Sequence, residues 1–253
     1  MGRKWGQHFL VDKKALQTIA SAIQLWGKDY EYLLEIGGGE GALTEYLYRI
    51  NPEKLIVIEI DPQFYELLRS KYPKAKIVNG DALKIDWETL VPEEQQFGIV
   101  GNLAYDIANG VVWKMLETKD RVPEAVLMMQ REVAVRLLSV GQRTTNWLSV
   151  ILHLFYKVSR VLDVPPKAFK PPPEVWGTVL RMERLPQPLL NIDIYHARKI
   201  LTQAFAQRRK QLKNTLKPYA NQLPPEVLHK RPEQLSLEEW ISVLQAILTK
   251  NQT

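Results

Sequence analysis

Three polar side chains that can bind or act on a nucleoside stand where apolar runs of this sequence end. Glu59 closes the run LIVIE, Asp81 follows AKIVNG, and Asn102 follows FGIVG. A carboxylate fixed at the end of a strand can accept two hydrogen bonds from ribose hydroxyls without any shift of its pKa. An acid after the next strand can accept from an adenine amino group if the ligand lies across the strand ends. This spacing predicts a nucleoside cofactor.

A glycine-rich turn precedes these residues, with Glu35, Gly37, Gly39 and Gly41 at every second position. Glycine lets the backbone approach a ligand closely because no Cβ intervenes, and the following helix offers free N–H groups. The turn alone is weakly specific, since Gly37, Gly39 and Ala42 also fit the looser fingerprint of dinucleotide-binding proteins. Both interpretations predict an acid about 20 residues further on, and the sequence has one 18 residues after Gly41.

Asp81 separates the two kinds of cofactor. Nicotinamide enzymes of this layout do not generally need an acid at that position, whereas methyltransferases that use S-adenosylmethionine do. The structural alternative is that Asp81 only caps the N-terminus of a helix. Because Glu59 and Asp81 end consecutive predicted strands, we favour a site for S-adenosylmethionine.

Asn102 leads into a stretch that suits methyl transfer to an exocyclic amine. The amino nitrogen of adenine is a poor nucleophile because its lone pair is delocalised into the ring. The side-chain oxygen of Asn102 and the backbone oxygen of Leu103 can accept its hydrogens, which exposes the lone pair without a strong base. Tyr105 can stack on a flipped base, and Phe169 can cover its opposite face. Two purely structural alternatives stay open: residues 101–110 form a simple turn, and Phe169 is a core residue.

The order of apolar runs predicts an α/β fold. Predicted strands lie at 32–36, 54–60, 75–78, 97–100 and 125–130. Helical patterns separate them, which predicts a mostly parallel Rossmann-like sheet with helices on both faces. Two later β-rich runs around the proline cluster PPKAFKPPPE lack a helix between them, which predicts an antiparallel edge. We expect this sheet domain to span 1–185, with a basic segment and helix in 1–29, and a small all-helical domain to span 186–253.

Composition excludes several classes of protein. The chain has no cysteine, so disulfides and thiolate metal sites are excluded and a cytoplasmic location is expected. The four histidines show no metal-ligand spacing, so no metal is expected. No apolar run reaches the roughly 20 residues of a membrane span, and the N-terminus lacks the apolar core of a signal peptide. We expect no contact with a membrane.

Positive charge is concentrated in the C-terminal part. The chain carries +6 overall, and residues 194–231 contain nine Lys or Arg against one acid. That segment therefore carries +8 and the rest of the chain −2. A solvated helix face is the alternative, but this density, with a second basic cluster at Arg3, Lys4, Lys13 and Lys14, favours a nucleic-acid partner. The candidate RNA-binding residues are Arg208, Arg209, Lys210 and Lys213.

Taken in order, the motifs resemble those of the adenine-N6 dimethyltransferases of small-subunit ribosomal RNA. The matching stretches run nearly end to end: GQHFL at 6–10, LLEIGGGEGALT at 33–44, VIEID at 57–61, GDAL at 80–83, GNLAY at 101–105, QREVAVRL at 130–137, FKPPPEVWGTVLRM at 169–182 and FAQRRKQLKNTL at 205–216. No single stretch is decisive, but their order and spacing are highly specific.

The resemblance implies a class I methyltransferase fold with S-adenosylmethionine as methyl donor. It implies transfer of four methyl groups to two adjacent adenines in a hairpin near the 3′ end of 16S-type rRNA, within a pre-30S particle. The residues that would line the cofactor site are His8, Leu10, Gly37, Glu59, Asp81 and Asn102. The helical domain would help dock the particle, and the protein is expected to act as a monomer.

The chain departs from the family pattern at four positions. The family commonly has Asn at His8, Pro at Gly38, Pro at Ala104 and Asn at Asp106. We expect the glycine at 38 to loosen its turn slightly. Loss of the proline at 104 gives the unfolded loop more conformational freedom, which lowers the free energy of unfolding by about 0.4–1 kcal/mol. Because Asn102 and Tyr105 are both retained, activity is expected to survive.

Other functions remain open on the sequence alone. A related methyltransferase acting on large-subunit rRNA is the nearest alternative, although the helix at 205–216 and the proline loop favour the small subunit. A DNA adenine methyltransferase would need a larger target-recognition insertion than the C-terminal region offers. A pure assembly factor with a vestigial site is opposed by the retained Glu59, Asp81 and Asn102.

Overall fold

The predicted apolar runs form strands in the computed structural model, which describes residues 8–104 and 106–249. The strands are β1 (Phe9–Leu10), β2 (Tyr32–Ile36), β3 (Leu55–Glu59), β4 (Lys76–Asn79), β5 (Phe97–Asn102), β6 (Glu124–Gln130), β7 (Tyr156–Val164), β8 (Phe169–Lys170) and β9 (Gly177–Arg184). The helices are α1 (Lys13–Ala22), α2 (Ala42–Ile50), α3 (Pro62–Lys71), α4 (Ala108–Glu117), α5 (Arg131–Leu138), α6 (Trp147–Phe155), α7 (Ile194–Phe205), α8 (Leu212–Thr215) and α9 (Leu237–Thr249). The prediction of a mostly parallel sheet with helices around it is confirmed.

Seven strands form one sheet in the order β4-β3-β2-β5-β6-β9-β7. The pairs β3–β4, β2–β3, β2–β5 and β5–β6 are parallel, whereas β9 is antiparallel to β6. The predicted antiparallel edge is therefore present. Strand order reverses between β2 and β5, and in open α/β sheets ligands bind beyond the carboxyl ends of the strands at this point.

The local sequence explains how the helices beside that reversal begin. Gly41 precedes α2 with φ +84°, a left-handed conformation that glycine adopts without steric cost. Asp61 caps α3 by accepting from the backbone N of Gln63, and Pro62 occupies the first helical turn. These caps fix where the chain leaves β2 and β3, so the loops after both strands have defined conformations.

Gly38, where the family commonly has proline, is tightly packed. A Cβ at this position would lie 2.6 Å from Val57 Cγ1 and 2.7 Å from Leu68 Cδ1. The space that a larger residue would need is filled by these two side chains. Close packing therefore restrains the turn where the proline is missing.

A second, two-stranded sheet joins two segments that are far apart in sequence. β1 pairs antiparallel with β8, so that Phe9 lies opposite Lys170 and Leu10 opposite Phe169. The backbone N of Val11 extends the contact by donating to the oxygen of Ala168 at 2.8 Å. The sequence analysis did not predict this pairing, because two-residue strands carry no periodic pattern.

A buried carboxylate fastens the amino end of β6. Glu124 is 1 % exposed, and its oxygens accept from the backbone N of Gln24 and Leu25, at 3.1 and 3.0 Å. Tyr30 Oη donates to it at 2.9 Å and Arg181 Nε at 2.7 Å. Burial and the neighbouring carboxylate raise the pKa of Tyr30, so its hydroxyl stays a donor. This cluster satisfies the charge with four donors, as a buried ion requires.

The chain divides into two compact units, one of residues 1–134 and 158–184, the other of 135–157 and 185–253. The second unit is helical, as the pattern after residue 193 predicts, and it also takes in 135–157, which the sequence analysis assigned to the sheet domain. Its core contains Phe205 stacked on Trp240, with ring centroids 5.5 Å apart. The assignment of methyl transfer to residues 1–185 and of RNA docking to residues 186–253 stays a prediction.

Two kinds of feature are absent from the described part of the chain. Within 8–104 and 106–249, no helix is both long and apolar enough to cross a bilayer. In the same ranges, His, Asp and Glu side chains form no group of three that could hold a metal ion.

Candidate active site

A cavity of about 430 Å³ opens at the carboxyl ends of the central strands, where the strand order reverses. Its size is within the usual range for small-molecule sites. The lining contains the predicted residues His8, Leu10, Gly37, Glu59, Asp81, Asn102, Leu103 and Phe169. Residues from six separate stretches of the chain therefore meet at one site. Their individual roles stay predictions.

The glycine turn and Glu59 form one wall of the cavity. Glu59 is 3 % exposed, and its Oε2 accepts from the backbone N of Gly39 at 2.7 Å while its Oε1 accepts from that of Asp61 at 2.8 Å. Gly37 and Gly39 have φ of +75° and +53°, so the turn depends on glycine at both positions. Each carboxylate oxygen has a second lone pair, and the fixed carboxylate can still accept from ribose hydroxyls.

Asp81 lines the cavity and also holds the turn that follows it. Its Oδ1 accepts from the backbone N of Leu83 at 2.9 Å, and the segment that follows is a turn rather than the helix that the alternative interpretation expected. Its Oδ2 lies 3.6 Å from Lys84 Nζ, and the residue also lines the cavity. Capping holds the carboxylate in place, and Oδ2 accepts no backbone hydrogen bond among the described residues.

Asn102 ends β5 with its side-chain amide oriented by the N-terminal segment. Its Nδ2 donates to the backbone oxygen of His8 at 3.4 Å, so Oδ1 is the acceptor of the amide. Leu103 N donates to Met128 O at 2.9 Å, which continues the β5–β6 ladder by one residue. His8 is held in turn, because its Nδ1 lies 2.8 Å from the oxygen of Pro171. Both proposed amine acceptors therefore sit on restrained backbone.

Phe169 is 6 % exposed and belongs to the hydrophobic core, which was the alternative considered for it, and it also lines the cavity. Its ring lies against Gly177, where a Cβ would come within 3.4 Å of Phe169 Cζ. Tyr105, the other proposed stacking residue, lies outside the described residues. Phe9 was not predicted, yet its ring packs on the glycine turn, 3.1 Å from where a Cβ of Gly39 would be.

The structure adds Glu35 to the candidate site. Glu35 is 1 % exposed and lines the cavity, and within the described part of the chain its Oε2 has no hydrogen-bond partner. Burial raises the pKa of its carboxyl to about 8, and the charge of Glu59 adds to this. Thr44 lowers the pKa, although its hydroxyl makes no hydrogen bond of good geometry to any described residue. The motif acidic-x-Gly-x-Gly was the sequence signal, but it gave Glu35 no role.

The residues present fit S-adenosylmethionine. The turn at Gly37 leaves open space where a side chain would project, so a ligand can reach the backbone. Glu59 offers fixed acceptors, and the unpartnered oxygen of Glu35 suits a polar group of the ligand, because a buried polar atom without a partner is costly. An acid-rich wall favours a ligand that carries positive charge.

We expect the contribution of Glu35 to the stability of the ligand-free protein to fall as pH rises from about 4.5 to about 8. Over this window folded Glu35 keeps a proton that the unfolded chain releases, because its pKa is raised by burial. Glu35→Gln removes this proton and should flatten the decline. The melting temperature of the variant minus that of the wild type should therefore be higher at pH 8.5 than at pH 5. Thermal unfolding at the two pH values measures the difference.

The control for this experiment is Glu66→Gln, an exposed acid on α3. It should follow the wild-type pH profile. Equal pH dependence of wild type and Glu35→Gln would show that Glu35 ionises normally.

The candidate RNA-binding residues belong to the helical unit and differ in their surroundings. Arg209 and Lys210 are exposed. Arg208 donates to the backbone oxygens of Arg143 and Thr145, at 2.9 and 2.8 Å, so it braces a loop of its own unit. Lys213 is half-buried with Nζ 3.3 Å from a ring nitrogen of His229. Arg3 and Lys4 of the second basic cluster lie outside the described residues.

Comparison with known proteins decides between the remaining enzyme classes. Residues 2–247 match the family described as Ribosomal RNA adenine dimethylase. The chain belongs to this family. It is 40 % identical over 248 residues to the Ribosomal RNA small subunit methyltransferase A of Flavobacterium johnsoniae, covering 96 % of this chain and 94 % of the relative. It is 37 % identical over 246 residues to the protein of the same name from Cytophaga hutchinsonii, with coverage of 94 % and 93 %.

Solved structures show the same fold. A dimethyladenosine transferase from Plasmodium falciparum superposes with a TM-score of 0.78 at 24 % identity, over 97 % of this chain and 98 % of that one. The 23S rRNA methyltransferase ErmE superposes with a TM-score of 0.74, also at 24 % identity, over 94 % and 98 %. The class I methyltransferase fold implied by the sequence is confirmed. As a member of the ribosomal RNA adenine dimethylase family, the chain is an adenine dimethyltransferase with S-adenosylmethionine as methyl donor.

Proposed function

We propose that this dimethylase modifies the N6 amino groups of two adjacent adenines in the 3′-terminal hairpin of 16S rRNA, within a pre-30S particle. The observation that carries the proposal is that Asn102 lines the cavity. The similar proteins are named for the small ribosomal subunit. The large-subunit alternative has a structural relative in ErmE, but at 24 % identity that likeness concerns the fold alone. We further propose that the protein acts as a monomer in the cytoplasm.

The geometry suggests how the chain activates the amine. Asn102 Oδ1 and the backbone oxygen of Leu103 accept the two N6 hydrogens, which draws the nitrogen lone pair out of the purine ring. Bound S-adenosylmethionine supplies an electrophilic methyl group on a cationic sulfur. As the nitrogen–carbon bond forms, the carbon–sulfur bond would break with its electron pair staying on the departing thioether sulfur, and the amine loses one hydrogen as a proton to water. In the second round the amine has one hydrogen left for these acceptors. Fixed acceptors rather than a strong base lower the barrier.

The test is methylation of purified ribosomal subunits. Small subunits from cells without this modification should gain dimethyladenosine when incubated with the protein and labelled cofactor, and mass spectrometry of rRNA fragments should place it in the 3′-terminal hairpin. Large subunits serve as the matched control. Label in large-subunit rRNA, or in neither rRNA, would overturn the proposed substrate.

Neutralising the exposed cations of the helical unit should weaken RNA binding. Arg209→Ala with Lys210→Ala removes two charges that are free to meet phosphates, so the slope of log affinity against log salt should become shallower by about 1.4 to 1.8. Arg208→Ala should mainly lower the melting temperature, because its guanidinium holds two backbone oxygens. Binding titrations at several salt concentrations measure the slope.

The matched control is Lys71→Ala with Lys74→Ala, which removes the same charge from the sheet unit. An unchanged slope in the Arg209/Lys210 variant would mean that these residues form only a solvated face. A slope change with Arg208→Ala and no loss of stability would assign the phosphate contact to Arg208 instead.

A further inference from the structure

Trp176 is an exposed indole next to the active-site cavity. Its exposed fraction is 44 %, and the neighbouring Val175 is 39 % exposed. The residue that follows, Gly177, lines the cavity and begins β9. Neither the family resemblance nor the proposed mechanism gives Trp176 a role.

The backbone at Trp176 is fixed on the same edge of the sheet as the site. Its oxygen accepts from Arg131 N at 2.9 Å, and Gly177 pairs with Gln130 at the carboxyl end of β6. Asn102 pairs with Met128 two residues earlier on β6. From the spacing of strands and residues, the Cα atoms of Trp176 and Asn102 are about 14 Å apart. The indole is thus close enough to meet a nucleotide joined to the target adenine.

The surroundings of Trp176 favour stacking over charge attraction. Exposed Lys167, Lys170 and Arg131 are partly offset by exposed Glu132 and Glu174 in the adjoining segments, which leaves a net charge of only +1. A base has a π-face that an exposed aromatic ring can cover, whichever base it is. The apolar surface of Val175 and Trp176 alone is far smaller than a stable protein interface, which needs about 1,000 Å² or more. A single nucleobase matches this patch.

We propose that Trp176 stacks on the base of a nucleotide adjoining the target adenine and so positions the RNA strand at the cavity mouth. This inference rests on the proposed function, because it takes a single-stranded stretch of RNA as the ligand. Turning one base out of a stack unstacks its neighbour as well, and the indole provides that neighbour with a replacement surface. Trp176 acts as a positioning residue and takes no part in the transfer itself.

The test compares Trp176→Ala, Trp176→Phe and Trp176→Leu on undermethylated small subunits. The alanine and leucine variants should raise KM about tenfold with kcat within twofold, and phenylalanine should restore most of the loss, because only an aromatic ring stacks. The salt slope of binding should stay unchanged, since no phosphate contact is removed. The control is Leu67→Ala on α3, an apolar side chain that is likewise 44 % exposed.

A fluorescence measurement separates this inference from the proposed substrate. The probe is a single-stranded RNA with 2-aminopurine beside the target adenine. The wild type and Trp176→Phe should quench the fluorescence of the 2-aminopurine, but Trp176→Ala should not. Wild-type protein that fails to methylate small subunits overturns the proposed function, whereas the quenching still decides the role of Trp176. Equal KM in all variants, full activity of Trp176→Leu, or a matching fall in cofactor affinity would overturn the stacking role.

Discussion

Replacing Asn102 with alanine is expected to lower methyl transfer by about 10² to 10³-fold, the scale seen when one preorganised polar contact to a reacting group is lost. The side chain lies at the end of β5, and its amide is oriented by the oxygen of His8. Without Oδ1, one amine hydrogen loses its acceptor and the lone pair stays in the ring. Single-turnover methylation of small subunits measures the effect.

Cofactor affinity should change little in this variant, because the ribose and adenine contacts assigned to Glu59 and Asp81 remain. Isothermal titration with S-adenosylmethionine measures it. The control is Asn51→Ala at the end of α2, an asparagine away from the cavity lining. Equal losses of cofactor affinity and methyl transfer would contradict the role of Asn102 in activating the amine.

Replacing Glu59 should have the opposite signature, with cofactor binding lost first. Glu59→Ala removes the acceptor for two backbone N–H groups, those of Gly39 and Asp61, along with the proposed ribose contacts. Hydrogen bonds to charged groups contribute about 1.5–3 kcal/mol each, so affinity for S-adenosylmethionine should fall by about 100-fold or more. Glu59→Gln keeps the shape of the side chain but points an amide donor at backbone donors. Its affinity for S-adenosylmethionine should lie between those of the wild type and Glu59→Ala.

Isothermal titration is again the measurement, with Glu66→Gln on α3 as the exposed-acid control. Thermal unfolding should show a moderate loss of stability for Glu59→Ala, because two N–H groups at the glycine turn lose their acceptor. An affinity within about threefold of the wild type would remove Glu59 from the cofactor site.

The sheet and half of the site followed from local patterns in the sequence. The strand at 32–36 was predicted with its observed bounds, because a buried apolar run between a polar segment and a glycine turn has few other solutions. Glu59 and Asn102 end strands and Asp81 lies two residues beyond one, so their convergence follows from parallel topology alone. Their hydrogen bonds did not follow, since the same carboxylate of Asp81 both caps a turn and faces the cavity.

What escaped prediction depends on contacts between distant segments. The pairing of Leu10 with Phe169 and the contact of Phe9 with the glycine turn involve short stretches without periodicity. Residues 135–157 show a helical and then a β pattern, which does not reveal that they pack with the C-terminal unit. Arg208 has the same charge as Arg209, and only the fold shows that it holds a loop.

The carboxylate of Glu124 has a consequence for how this protein tolerates change. It lies at the amino end of β6, while the residues of this strand that line the cavity lie near the carboxyl end, so one end of the strand holds the fold and the other faces the candidate site. Losing one member of a buried charge cluster costs about 3–5 kcal/mol, a large share of what holds a domain folded. Variants at this anchor should therefore reduce how much enzyme a cell maintains, while each surviving molecule works at its normal rate.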